Sequence, residues 1–295
     1  MIDVHTHTFP EKIAAAAVDK LQKGSHTHPF TDGTQGMLKQ SMEKAGIDAS
    51  LVLPVATSAR QVPHVNDASI RMNEQALETG VWSLGCMHPD YADWRKELGR
   101  LSASGVKGVK LHPPYQEVDF DDARYLRILD RCGELGLIVL THAGLDVGLP
   151  GHTESTPEKI ARAVKAVGPV KLILAHMGGW RNWDQAEKLL PDTGVYLDTS
   201  FSLGPMTPNG DGFYQTKADL DRLTEAAFVR LVRVFGADRV LFGTDSPWED
   251  QAAEVQKIQA LPLTAEEKTA ILGGNAQRLL GLNADESPYL KKTPG

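Results

Sequence analysis

The chain has 295 residues, 31 basic and 38 acidic, for a net charge of -7, and 41% of them are hydrophobic. These values are ordinary for a soluble globular protein and leave no basic footprint for nucleic acid. No apolar run approaches the ~20 residues that span a membrane, and the first strand-like run starts at Ile2 with no export core before it, so a cytoplasmic protein without a membrane partner is expected.

A strand over residues 2–5 opens the chain. Strand side chains at i and i+2 leave the same face, so His5 and His7 in Asp3-Val4-His5-Thr6-His7 project together as the strand ends, forming half a metal site. Helices are expected over 11–21 and 36–45. The insertion between them, Gly24-Ser25-His26-Thr27-His28-Pro29, repeats the His-x-His spacing. No strand fixes those two rings, so His26 and His28 read as a solvated loop in a position that could lie over the site.

Buried-strand runs follow at 50–55, 81–87 and 106–112, each leading into a segment with apolar residues at three-to-four spacing. Further strands are expected at 137–142, 170–176, 194–199 and 240–245, with helices near 121–134, 157–167, 182–190, 217–235 and 250–260 and extra helices at the C-terminal end. Residues 201–215, with Gly204, Pro205, Pro208, Gly210 and Gly212, read as a long loop able to act as a lid. Cys86 and Cys132 form no Cys-x-x-Cys pair and lie in apolar runs, so they are expected to be core thiols of a reducing compartment, without a disulfide.

The strands are short, continuous and rich in Val, Leu and Ile, as in a parallel sheet buried on both faces. The strand-helix unit repeats eight times, which predicts an α/β fold, a single (β/α)8 TIM barrel occupying residues 1–295 as one domain with an insertion after the first strand. The competing doubly wound sheet is disfavoured because no Gly-x-Gly-x-x-Gly turn follows the first strand and Gly178-Gly179 lacks phosphate-loop spacing. Such barrels carry their chemistry at the C-terminal ends of the strands, and three other runs end there in His142, His176 and Asp245.

These residues resemble the amidohydrolase superfamily, and within it the amidohydrolase-2 group that includes aminocarboxymuconate semialdehyde decarboxylase. The resemblance rests on Asp3-Val4-His5-Thr6-His7, Gly108-Val109-Lys110-Leu111-His112-Pro113, Thr141-His142-Ala143-Gly144, Ala175-His176-Met177-Gly178-Gly179, Phe242-Gly243-Thr244-Asp245-Ser246-Pro247 and Asn275-Ala276-Gln277-Arg278-Leu279-Leu280-Gly281-Leu282, and so covers essentially the whole chain. It implies one divalent metal ion, with zinc expected, held by His5, His7, His142 and Asp245, with His176 beside the metal-activated water. Three imidazoles and a carboxylate suit such an ion. Asp245 and His176 are then the catalytic residues, with Asp245 favoured as proton carrier and His176 orienting the water.

Lys110 and His112 leave one face of their strand. In binuclear members of the superfamily a carboxylated lysine at the end of this strand bridges two metals; with one metal, both residues become substrate contacts. Arg60 offers a bidentate fork to a substrate carboxylate, His88 stands at a strand end, and Trp180 and Arg181 follow the Gly178-Gly179 turn where loops shape the pocket. The leading functional expectation is metal-dependent hydrolysis of a small amide, lactone or ester. Its alternative is non-oxidative decarboxylation of a small unsaturated or aromatic acid, with Arg60 or Arg181 as carboxylate clamp. A metal-stabilised binding scaffold is disfavoured because every ligand is present. The expected partner is a small-molecule substrate, and a homodimer is the default assembly.

Overall fold

Each strand expected from the sequence forms, and all but the first are shorter than the apolar run that encodes them. A computed structural model describes residues 1–282, and residues 283–295 lie outside that description. The strands are β1 (Ile2–Thr6), β2 (Ala49–Val52), β3 (Val81–Ser83), β4 (Gly85–Cys86), β5 (Gly108–Leu111), β6 (Ile138–Thr141), β7 (Lys171–Leu174), β8 (Tyr196–Asp198) and β9 (Val240–Leu241). The runs at 170–176 and 240–245 close on His176 (φ 58°) and Asp245 (φ 68°), both left-handed, a conformation outside the strand region. The run at 81–87 breaks into β3 and β4 because the Asn73 amide takes both backbone groups of Ser83, at 2.8 and 2.9 Å.

Contacts divide the chain into two compact units, one of residues 1–51, 147–150 and 198 onward, the other Val52–Asp146 with Gly151–Leu197. In the second unit β4 to β8 run parallel in sequential order, with Cys86 opposite Lys110, Lys110 opposite Leu140 and Leu140 opposite Ile173. Val109, Leu111, Val139, Leu140 and Leu172 are buried there, and the helix Ala123–Leu135 covers them with Ile128 and Leu129. Asp122 caps that helix and Gly136 (φ 69°) ends it.

In the first unit β1 lies between β2 and β9. Thr6 Oγ1 donates to Leu51 O at 3.0 Å on one side. On the other, Val4 N donates to Phe242 O at 2.9 Å and Asp245 N to His5 O at 2.8 Å. The helix expected over 217–235 is instead two, Lys217–Leu220 and Glu225–Phe235. The break arises because Thr224 caps the second helix, while Arg222 turns inward to donate to Gly204 O (2.8 Å), Pro205 O (3.0 Å), Leu203 O (3.2 Å) and Glu249. At the C-terminal end come Ala265–Thr269, a π-turn over Ala270–Gly274 and Asn275–Leu280. Among the described residues no helix is long and apolar enough to cross a membrane.

Candidate metal centre

The end of β1 sets out three ligand atoms in the first unit. His5 Nε2 and His7 Nε2 are 3.2 Å apart, and Asp245 Oδ1 lies 3.3 Å from the first and 3.1 Å from the second. Ligands held tetrahedrally at 2.0–2.1 Å from a zinc ion are separated by about 3.3 Å, so the triangle fits such an ion. His5 is buried and His7 and Asp245 only partly so, which leaves a path for a ligand.

Asp3 locks this corner. Its Oδ1 accepts from His5 N and Thr244 N, each at 3.1 Å, and its Oδ2 from Thr244 Oγ1 (2.6 Å) and Gln251 Nε2 (2.7 Å). Complete burial pushes the Asp3 carboxyl up to about 7, against the pull of these donors. The ends of β1 and β9 thereby share one acceptor. Beyond His5, Asp198 Oδ2 is 2.8 Å and Ser200 Oγ 2.9 Å from Nδ1.

The second unit gathers its own imidazoles at the ends of β5, β6 and β7. His142 Nε2 lies 2.9 Å from Leu145 O. A carbonyl only accepts, so Nε2 donates there, and Nδ1 lies 3.2 Å from His176 Nε2. His112 stacks 4.6 Å from His142 and meets Tyr115 edge-on at 4.5 Å. Asp146 Oδ2 is 3.4 Å from His112 Nε2 and 3.9 Å from His142 Nδ1, a looser metal-ligand geometry than the triangle around His5. Gln116 ties this floor together, donating to Ala56 O (2.9 Å) and Met87 O (2.7 Å) and accepting from His112 N and Tyr125.

Lys110 is buried in β5. Gly144 (φ 89°) lets the turn after β6 lie against Trp180, since a Cβ there would meet Trp180 N at 2.2 Å, and Trp180 is thereby buried. Arg181 is exposed, its guanidinium 5.0 Å over the Trp180 ring, and Arg60 is exposed in the turn after β2. His88 is buried with Nδ1 accepting from Asp90 N at 3.2 Å, and burial lowers its pKa. His26 bonds Asp211 at 2.7 Å and stacks on Phe213 at 3.7 Å, while Asn209 N donates to His26 O and His28 N to Thr207 O. The insertion and the loop at 201–215 thus fasten to one another. Neither His26 nor His28 belongs to a ligand group among the described residues. Cys86 and Cys132 are free and buried, with both thiols pushed up by desolvation, Cys132 to about 12.

Sequence reasoning missed Asp3 as a hub, and Asp146, Asp198 and Ser200 altogether. Asp198 had the same signal as the histidines, an acid at the polar end of an apolar run, and Asp146 had none, since it lies in a loop.

The family model for amidohydrolases matches residues 2–282. The chain belongs to the amidohydrolase family. No curated protein matches it in sequence. Among solved structures, this amidohydrolase is similar to an uncharacterized TIM-barrel protein from Bordetella bronchiseptica (17% identity, 95% of this chain and 99% of that one, TM-score 0.71). It is similar also to a candidate 2-pyrone-4,6-dicarboxylic acid hydrolase from Pseudomonas putida (19%, 95% and 97%, TM-score 0.61). A third is a dihydroxybenzoic acid decarboxylase from Polaromonas sp. JS666 with bound manganese and 2-nitroresorcinol (16%, 97% and 98%, TM-score 0.64). The fold is therefore the α/β barrel expected from the sequence, in an enzyme family whose known structures include hydrolases and decarboxylases.

Proposed function

We propose that this amidohydrolase hydrolyses a small amide, lactone or ester, with a divalent ion, zinc in the first instance, held by His5, His7 and Asp245 and, as the family resemblance implies, His142. The observation that carries this reading is the triangle of His5 Nε2, His7 Nε2 and Asp245 Oδ1, 3.1 to 3.3 Å on each side. When bound, such an ion supplies Lewis acidity, polarising a carbonyl and lowering the pKa of water toward about 7. Asp245 takes the proton of the attacking water and returns it to the leaving group. Its left-handed backbone turns the carboxylate toward both imidazoles, a strained conformation of the kind retained at working sites. His176 orients the water, and Lys110 and His112 contact the substrate.

Decarboxylation of a small unsaturated or aromatic acid is the second reading, favoured by the manganese-bound decarboxylase among the similar structures. A carboxylate substrate calls for an arginine clamp. Arg60 and Arg181 are both exposed, and the buried Arg222 is committed to Glu249 and three carbonyls.

The test pairs metal analysis with a screen of lactones, amides, esters and unsaturated acids on the purified protein and on His7→Ala and His142→Ala. Hydrolysis by the wild type, with metal lost and rate down at least ~10²-fold in both variants, is expected. Release of carbon dioxide from an acid without hydrolysis of any other compound overturns the hydrolase reading in favour of the decarboxylase.

A further inference from the structure

We infer that Asp198, clamped by Ser200, is the positioning residue that fixes the proton of His5 on Nδ1 and so reserves Nε2 for the metal. The inference rests on the proposed metal site, and it names residues outside the ligand set.

Proton bookkeeping gives the tautomer. Asp198 Oδ1 accepts from Ser200 N at 3.0 Å and from the Ser200 hydroxyl, and Asp198 Oδ2 lies 2.8 Å from His5 Nδ1. The only hydroxyl proton of Ser200 is thus spent on the carboxylate. Ser200 Oγ, 2.9 Å from the same Nδ1, has just its lone pairs to offer that nitrogen. Both oxygens facing Nδ1 are therefore acceptors, and only a protonated Nδ1 satisfies them. A lone pair there would face a buried carboxylate at hydrogen-bond distance. In the neutral ring Nε2 is then the donor of electrons, facing His7 Nε2 and Asp245 Oδ1.

The clamp is built into the backbone. Asp198 ends β8 with no exposed surface, and Ser200 is equally buried. Thr199 Oγ1 donates to Gly243 O at 2.9 Å and accepts from Gly243 N at 3.0 Å, so the chain beside Asp198 is stitched to the residue after Phe242. Gly243 must lack a side chain for this, because a Cβ would sit 2.9 Å from His5 Cβ and 3.4 Å from Asp198 Cβ. A carboxylate behind a ligating imidazole raises its basicity and holds its ring, and loss of such a partner typically weakens metal binding about 10- to 100-fold.

Two measurements test this. In protein carrying ¹⁵N-histidine, freed of metal and held at about pH 8.5, two units above the ordinary imidazole value, His5 is expected as the Nδ1–H tautomer. In Asp198→Asn the new amide N–H faces Nδ1, and the proton is expected on Nε2. Zinc affinity, read by chelator competition, is expected to fall about 10- to 100-fold in Asp198→Asn and severalfold in Ser200→Ala. Ser200→Ala keeps the carboxylate and carries the test alone if the asparagine variant does not fold. A merely structural role would lower the melting temperature and leave tautomer and affinity unchanged, and that result overturns the inference. A wild type that binds no zinc yet shows the Nδ1–H tautomer sinks the proposed metal site and leaves the positioning role of Asp198 standing.

Discussion

At the scale of single residues the centre depends on close approach as much as on its ligands. Gly243 carries no chemistry, yet it is where β9 leaves space for His5 and Asp198. Gly243→Ala is expected to cost about 1–3 kcal/mol by overpacking, seen as a lower urea midpoint, and to weaken zinc binding by separating the imidazole from its carboxylate. Unchanged metal affinity in a folded Gly243→Ala protein would contradict that geometry. His5 and His7 were legible because a strand's two-residue period declares which side chains travel together. Asp198 was equally visible as a letter but not as a partner, since its role depends on pairing with a strand almost two hundred positions away. Arg60 and Arg181 were read as carboxylate clamps from residue type and from their place after strands, neither of which tells of the exposure both show.

Among elements, the segment read as one helix over 217–235 is the informative departure. Its apolar spacing is helical throughout, but three buried charged groups, Arg222, Glu249 and Glu254, with the half-buried Lys257, override it. Arg222 donates to Glu249, and Lys257 to Glu254 and to Leu203 O at 3.2 Å, so the loop after β8 is held through its carbonyls. Burial, with Glu249 nearby, pushes the Glu254 carboxyl from 4.5 up to about 8. The folded protein therefore binds a proton that the unfolded chain releases between those values, and stability declines as pH rises across that window before levelling off. Asp3, raised to about 7, acts in the same sense. Glu254→Gln should remove part of this slope, so that its stability relative to wild type climbs from pH 5 to pH 8 in urea titrations; parallel curves for the two proteins would count against a shifted Glu254. Strand order, by contrast, was readable, because each buried run of Val, Leu and Ile is bounded by polar residues that end it.

For the molecule as a whole, the eightfold alternation was readable from sequence, whereas the division into two compact units was not. Contact density depends on which distant segments meet, and residues 147–150 group with the first unit although they lie within the sequence span of the second. If His5, His7 and Asp245 hold an ion only in the folded state, stripping it with a chelator should lower stability by about 2.7 kcal/mol relative to protein held with free metal at 100 times the dissociation constant. Melting curves at graded zinc concentrations check this, and a midpoint indifferent to zinc would refute it. The bond from Val4 N to Phe242 O and that from Asp245 N to His5 O join opposite ends of the described chain. A ribosome releases His5 and His7 at the outset and Asp245 only after most of the remainder. At about 5–20 residues per second, the nascent histidine pair waits on the order of 10–50 s for its carboxylate, so an ion on the proposed site would be captured for good only once translation is nearly complete.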